Sequence, residues 1–273
     1  MSGSTNPKRP RKLRRSFVPG LALGLGAYLR VIPTLFRYKL WPAQFVPALL
    51  SLLISVGMIT AFWFTSNGLT NWIDEQIQIP WEWMDETINS FSFIISLSLM
   101  ILCFLLVHKH IILVVLAPFL GKLAELTYRA VMNDNSTSPL TVPQSISRGM
   151  RINMANITKE LFINFLFLCC NVVPGIGQVL ASVGVFLNQS RFMGFGLMDF
   201  PLEHKGLTVK ESLRFVRYRT GCSTGVGAGY IVLMLIPLLG WMFAPTFGTI
   251  AGTLVAIHEL EVEEKHRLET QAT

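Results

Sequence analysis

Uncharged apolar runs alternate with polar clusters along the chain, and the length of each run predicts how it meets a membrane. Residues 43–64 contain no charged residue and would form a helix of about 33 Å, enough to cross the hydrocarbon core of a bilayer. A second run begins at residue 91, after a loop that holds five acidic residues and no Lys or Arg. We therefore predict two long transmembrane helices, at about 43–64 and 91–117.

Two shorter apolar runs end at turns that contain proline and glycine, one at Pro174-Gly175 and the other from Pro237 to Gly240. These residues interrupt helices, and irregular backbone within a membrane is tolerated only where protein or a wet cavity surrounds it. The arms that enter the turns, residues 161–173 and 226–236, are about 20 Å and about 17 Å long as helices, which is less than the roughly 30 Å core. We therefore predict two re-entrant helical hairpins, at about 161–198 and 226–258.

Amphipathic segments lie between the apolar runs. Residues 19–40, 121–131 and 146–161 place apolar side chains at helical spacing, with charged residues beside the stripe. This pattern predicts helices that lie in the interface of the membrane rather than across it.

Two further prolines, Pro118 and Pro201, mark breaks in helical segments. We expect the second break, at Asp199-Phe200-Pro201, to open a loop that ends at Thr208. Thr208 and Glu211 then form a capping-box pattern, which predicts the start of a short helix.

Composition and charge identify the class of protein. Apolar residues make up 51% of the chain and charged residues only 14%, against roughly 25% in soluble domains, so we expect an all-α integral membrane protein. The formal net charge is +7, but the basic residues flank the apolar runs, which indicates membrane orientation and argues against nucleic acid as a partner. The positive-inside rule places the N-terminus and the basic loops in the cytoplasm. We expect a disordered basic tail at 1–16, a single membrane domain at 17–260 and a polar C-terminal tail at 261–273.

Residues that carry catalysis or bind metals in other proteins are not arranged for either task here. The four cysteines lack CxxC and Cys/His ligand spacing, so no metal, cofactor or disulfide framework is predicted, and the adjacent Cys169 and Cys170 are interpreted as apolar thiols. The apolar runs hold no paired carboxylates, and neither an HExxH motif nor a Ser/His/Asp pattern is visible. We do not expect an enzyme.

Two groups of polar residues leave two interpretations open. Arg191 lies beside Asn188 in the predicted descending arm, where it either lines a transport pathway or extends to the interface. Arg214 and Arg217 share one face of the predicted short helix, which is either solvated or lipid-facing, or binds an anion.

Short motifs follow one another along the chain at spacings that resemble one family. In order, they are Pro47-Ala48-Leu49-Leu50, Ala117-Pro118-Phe119 with Leu123-Ala124-Glu125, Pro174-Gly175-Ile176-Gly177-Gln178, Asp199-Phe200-Pro201, the Arg214/Arg217 segment, Ile236-Pro237-Leu238-Leu239, Pro245 and Gly252-Thr253. On these motifs the chain resembles the CysZ sulfate-permease family, which shares a domain with etoposide-induced protein 2.4. The resemblance implies a bacterial inner-membrane protein with two long spanning helices and two partly penetrating hairpins. It also implies a homo-oligomer and the uptake of sulfate for cysteine synthesis.

Three positions depart from the pattern of that family. Members with sulfate activity tend to carry Gly-x-Arg-Arg just before the first spanning helix, whereas this chain reads Lys39-Leu40-Trp41-Pro42. Ser51 and Gly240 each stand where an asparagine is usual. These departures concern the substrate more than the fold.

Two functional hypotheses follow. In the first, the protein is a transporter or channel-like facilitator for a small inorganic oxyanion, most of all sulfate. Because the chain has no nucleotide-binding loop, any driving force would be a gradient. Backbone N–H groups at the two hairpin tips, around Gly175-Ile176-Gly177 and Leu239-Gly240, would bind the anion, and arginines would supply charge. The candidate residues are Gly175, Ile176, Gly177, Gln178, Arg191, Arg214 and Arg217. In the second hypothesis, the protein is a non-transporting scaffold that binds the lipid bilayer through its hairpins and basic faces.

Overall fold

The computed structural model describes residues 15–76, 107–108, 110–134, 141–170 and 176–272. These residues are almost entirely helical, and the described ranges contain no β-strand, which confirms the all-α class. In chain order, the helices are α1 (Phe17–Arg37), α2 (Trp41–Gln76), α3 (Ala117–Met132), α4 (Val142–Cys169), α5 (Ile176–His204), α6 (Val209–Arg217), α7 (Thr220–Met234) and α8 (Leu239–Ala272). Residues 110–115 are also helical and lead into α3 across a bend at Leu116.

Three helices among the described residues are long and apolar enough to cross a membrane: Phe17–Arg37, Trp41–Thr65 and Leu239–Gln271. The second contains the transmembrane helix predicted at 43–64. Most of the helix predicted at 91–117 lies outside the described residues. Because α1 is one of the three, the interfacial position expected for residues 19–40 stays a prediction.

Helix α7 lies at the centre of the bundle and is buried along most of its length. Gly221 and Gly225 contact α1, where a side chain on either residue would overlap the backbone of that helix. Gly227 faces α5 in the same way, and its counterpart there is Gly194. Small residues spaced four apart let helix backbones approach closely inside membranes. The glycines of residues 221–229 therefore determine how α1, α7 and α5 pack together.

The first hairpin has longer arms than the sequence suggested. Its ascending arm was expected to begin near residue 161, but α4 begins at Val142, where Thr141 and Gln144 form a capping box. Helix α4 has 28 residues, or about 42 Å, and α5 has 29 residues, or about 44 Å. The arm length therefore no longer argues for partial penetration, which stays a prediction. The turn at Pro174-Gly175 lies outside the described residues.

The turn predicted at Pro201 is wrong, because α5 continues through Pro201 to His204. Proline removes the N–H that would bond to the Leu197 carbonyl oxygen, and Gly252 of α8 packs closely against that oxygen. A neighbouring helix in close contact makes a proline tolerable within a membrane helix. The turn comes later, at Gly206, whose φ of 77° suits glycine.

The second predicted turn lies between α7 and α8, and Pro237 is within it. Gly240 is already the second residue of α8, whereas Leu238 takes the left-handed conformation, with φ of 61°. A side chain at Gly240 would overlap the carbonyl oxygen of Leu233. Gly240 is therefore required for the close approach of the two arms rather than for the turn itself.

The structure describes residues at or within both predicted tails. Arg15 donates a backbone hydrogen bond to the Tyr218 carbonyl oxygen at 3.3 Å and pairs with Glu259. At the other end, α8 continues as a helix to Ala272. Residues 1–14 of the predicted basic tail lie outside the described residues.

Candidate functional site

A cavity of about 250 Å³, here called the basic pocket, lies between α4, α5 and α6. Its polar lining consists of Lys159 and Asn156 from α4, Arg191 from α5 and Arg217 from α6. The apolar lining residues are Phe162, Ile163, Phe192, Phe195, Leu213 and Val216. Three cationic side chains thus converge on one cavity from three helices.

The charges of the basic pocket are not neutralised by its own lining, which contains no acidic residue. Among the ion pairs of the described residues, none includes Lys159, Arg191 or Arg217. The guanidinium groups of Arg191 and Arg217 are close enough to repel each other electrostatically. Such a cluster of like charges would be relieved by a bound anion.

Helix α6 presents Arg217 to the pocket because the local sequence fixes where this helix starts. The Thr208 N–H and hydroxyl donate to Glu211 Oε2 at 2.8 and 2.7 Å, and the Glu211 N–H donates to Thr208 Oγ1 at 3.4 Å. The predicted capping box is therefore confirmed. The hydrogen bonds from Thr208 stabilise the charged form of Glu211 and lower the pKa of its carboxyl group.

Arg148 holds the three helices around the pocket in position. Its guanidinium group donates to the two carboxylate oxygens of Asp199 at 3.2 and 2.9 Å and to Ser212 Oγ at 2.7 Å. It also donates to the carbonyl oxygen of Leu207, and Glu203 lies 3.5 Å away. One buried side chain of α4 thereby binds α5, the α5–α6 turn and α6.

A second buried arginine joins α7 to α8. Arg219 donates to Glu259 Oε2 at 2.9 Å and to Glu263 Oε2 at 2.8 Å, and its guanidinium carbon lies 3.8 Å from the centre of the Phe215 ring. Sequence reasoning missed both Arg148 and Arg219, because each sits among other basic residues. Their acidic partners lie 40 or more residues away along the chain.

Buried polar side chains continue from the basic pocket along the α4–α5 contact. Asn156, Glu160 and Asn164 are spaced four residues apart on α4, so they lie along one face of the helix. Asn188 of α5 donates to Asn164 Oδ1 at 2.8 Å and to the Glu160 carbonyl oxygen at 3.3 Å. His110 lies 3.5 Å from the Glu160 carboxylate. The pocket therefore adjoins a polar seam inside the hairpin.

The structure brings together only part of the predicted anion site. Arg191 and Arg217 line the basic pocket, whereas Arg214 lies outside its lining, although all three side chains are exposed. Ile176, Gly177 and Gln178 lie at the N-terminal end of α5, about 20–22 Å along the helix from Arg191, which lies near its middle. Gly175 lies outside the described residues. Lys159 and Asn156 were missed, because nothing local in the sequence distinguishes them from other polar residues of α4.

No group of three His, Cys, Asp or Glu residues within the described ranges is arranged to hold a metal ion. What the basic pocket offers instead is fixed positive charge, two guanidinium groups and an amide. Charge-assisted hydrogen bonds from such groups bind carboxylates, phosphates and related oxyanions.

Comparisons with known proteins identify the family. The family model described as Sulfate transporter CysZ/Etoposide-induced protein 2.4 matches residues 27–245. The chain is also 21% identical over 202 residues to a protein named Sulfate transporter CysZ from Pectobacterium atrosepticum, an alignment that covers 73% of this chain and 72% of that protein. Since the matched region includes the basic pocket and most of the helical bundle, the chain belongs to the CysZ/etoposide-induced protein 2.4 family.

Proposed function

We propose that this membrane protein carries a small inorganic oxyanion, most of all sulfate, across the bacterial inner membrane to supply cysteine synthesis. The observation that carries the proposal is the basic pocket, where Lys159, Arg191 and Arg217 meet without an acidic side chain in the lining. All three cations are exposed, so an anion can reach them, and an unneutralised cluster of like charges attracts anions. The name of the Pectobacterium relative supports sulfate as the anion.

The pocket suits a tetrahedral dianion better than a single halide ion. Two guanidinium groups can each donate two hydrogen bonds to oxygen atoms, and Asn156 adds an amide donor. The buried seam of Asn164 and Asn188 extends from the pocket toward the hairpin tip and supplies further polar groups along a route. Gradient-driven, channel-like passage is our proposal for the driving force, with the N-terminus and basic loops in the cytoplasm and the protein in a homo-oligomer.

Sulfate uptake into proteoliposomes tests this proposal. The double variant Arg191→Gln/Arg217→Gln should lower the initial uptake rate by at least tenfold, since each charge-assisted hydrogen bond contributes roughly 1.5–3 kcal/mol. Arg267→Gln, an exposed arginine near the end of α8, is the matched control and should retain the rate. Uptake that is unchanged in the double variant, with both proteins equally folded by circular dichroism, would refute the proposed site.

A lipid-binding scaffold is the second candidate function. The observation that favours it is an exposed apolar stripe on α4, with Met150, Met154 and Leu161 about half to two-thirds exposed beside the exposed Arg151. Such a helix can lie in an interface and bind anionic lipid. Under this alternative, Arg214→Gln and Arg217→Gln weaken binding to anionic liposomes, and no variant changes sulfate flux.

A further inference from the structure

A second cavity, here called the His204 pocket, lies away from the basic pocket and has a different chemistry. It measures about 440 Å³ and lies between the start of α2, the first turns of α3 and the end of α5. Its polar lining consists of Lys122, Glu125, Glu203 and His204. The proposed anion route uses none of these residues.

His204 is the residue of this pocket that points to a ligand. Its side chain is buried, with 6% exposure, and neither ring nitrogen has a hydrogen-bond partner among the described residues. The Tyr128 ring packs against it, with 5.0 Å between ring centres. Burial lowers the pKa of His204, so the imidazole is neutral at pH 7 and offers one donor and one acceptor. Buried polar groups normally form hydrogen bonds, so these two nitrogens are available to a ligand.

The charges of the His204 pocket are arranged by depth. Glu125 and Glu203 are buried, each with 7% exposure, and Glu125 Oε1 accepts no hydrogen bond. Both acids also have basic neighbours: Arg129 lies 3.5 Å from Glu125, and Arg148 lies 3.5 Å from Glu203. The side chain of Lys122 is 58% exposed and pairs with Glu125 at 3.1 Å. The carboxylates and the imidazole therefore lie inside the pocket, whereas the exposed cation Lys122 lies where the pocket meets the surroundings.

Apolar side chains cover the rest of the pocket and continue onto the outer surface. Val46 and Phe119 line it and are 54% and 39% exposed. Phe45 and Leu49 extend the same surface of α2, at 61% and 55% exposure. Because α2 begins at Trp41 and is long and apolar enough to cross a membrane from there, we infer that the pocket lies near the headgroup region, where Trp is enriched. Acyl chains would lie along this face.

We propose that the His204 pocket binds the headgroup of an ethanolamine-type membrane phospholipid, with its ammonium group on Glu125 and His204 and its phosphate on Lys122. An acceptor-rich interior with a cation at the mouth is complementary to a zwitterion that enters ammonium first. A phosphatidylcholine headgroup cannot donate the N–H hydrogen bonds that His204 and Glu125 would accept. An anionic phosphatidylglycerol headgroup would bring no positive group to the carboxylates.

The test uses the purified full-length protein, stripped of lipid in detergent and then mixed with phosphatidylethanolamine, phosphatidylcholine or phosphatidylglycerol of identical acyl chains. Phosphatidylethanolamine should raise the unfolding temperature by roughly 5–10 °C at a hundredfold excess over Kd. His204→Leu should abolish that shift, whereas His266→Leu, near the exposed end of α8, should keep it. An equal shift with phosphatidylcholine, or a full shift in His204→Leu, would overturn the proposal.

Two further measurements complete the test. If His204→Leu does not fold, Lys122→Gln replaces it, because this exposed side chain can change without opening the core; an undiminished phosphatidylethanolamine shift in Lys122→Gln contradicts the proposal. Soluble phosphoethanolamine should give less than a tenth of the lipid's apparent affinity, and equal affinity would identify a free headgroup as the ligand. Neither arm depends on sulfate uptake, so the two proposals can fail separately.

Discussion

The arginines of the described residues differ in whether a carboxylate forms an ion pair with them. Arg148 and Arg219 are buried and form short ion pairs, so their charges are used to hold helices together. Arg191 and Arg217 have no such partner within the described ranges and share a cavity. Ion pairing therefore distinguishes the two arginines that join helices from Arg191 and Arg217, which line the basic pocket.

Replacing Arg148 by Met should destabilise the protein by about 3–5 kcal/mol, because Asp199 and Glu203 would be left buried without a cation. Reversible unfolding in mixed micelles, monitored by circular dichroism, measures this loss. The exposed Arg214→Gln should stay within roughly 0.5 kcal/mol of the parent. A loss below 1 kcal/mol in Arg148→Met would mean that water reaches the Arg148 site.

At the scale of elements, glycines determine which helix faces meet. A side chain at Gly24 of α1 would overlap the carbonyl oxygen of Cys222 in α7, whereas a Cβ at Gly26, two residues further on, meets no atom within 4 Å. The two glycines belong to the same helix and have the same backbone geometry. Only their neighbours in the tertiary structure distinguish them.

Gly24→Leu should therefore destabilise the bundle by about 1–3 kcal/mol or more through overpacking, whereas Gly26→Leu should be neutral or slightly stabilising. Unfolding temperature and expression yield of the two variants give the comparison. Equal behaviour of the pair would contradict the close α1–α7 contact.

The N-terminal cap of α6 contributes to the stability of the protein in a pH-dependent way, and the lowered pKa of Glu211 gives the direction of that dependence. The folded pKa of Glu211 is lowered, so its contribution to stability is present above the unfolded pKa and is lost as pH falls through the folded pKa. Thr208→Ala should cost about 1 kcal/mol at pH 7. Unfolding curves between pH 7 and 3 should show that Glu211→Gln removes part of the acid-induced loss seen in the parent. An unaltered pH profile would mean that the hydrogen bonds between Thr208 and Glu211 do not form in solution.

At the scale of the molecule, the membrane topology depends on how deeply the first hairpin enters the bilayer. Both of its helices exceed 40 Å, so length alone permits either a crossing or a return to the same side. The side chain of Ile176, 80% exposed at the start of α5, reports on the tip.

In a variant without native cysteines, Ile176→Cys should resist a membrane-impermeant maleimide added from outside, because a re-entrant tip does not emerge there. Asp85→Cys, in the acidic loop predicted to be outside, is the positive control. Labelling of Ile176→Cys from outside at the rate of the control would show a complete crossing and would replace the re-entrant interpretation.

The sequence by itself determined the properties that depend on neighbours along the chain. Length and apolarity of residues 43–64 predicted a spanning helix, and Thr208 with Glu211 predicted a cap, because both features are local. The order of short motifs was enough to indicate the family. Arg191 and Arg217 were also candidates from the sequence, because Arg191 lies within an apolar run and Arg217 shares a basic helix face with Arg214.

Only the tertiary structure decided which of these residues meet. Arg214 and Arg217 share a helix face in the sequence, yet only Arg217 lines the pocket, beside a lysine of α4 that carries no local signal. Pro201 was expected to end a helix, but packing against α8 keeps it inside α5. The physical reason is the same in each case: ion pairing, close backbone approach and pocket formation depend on contacts between residues far apart in the chain, and local propensity does not encode them.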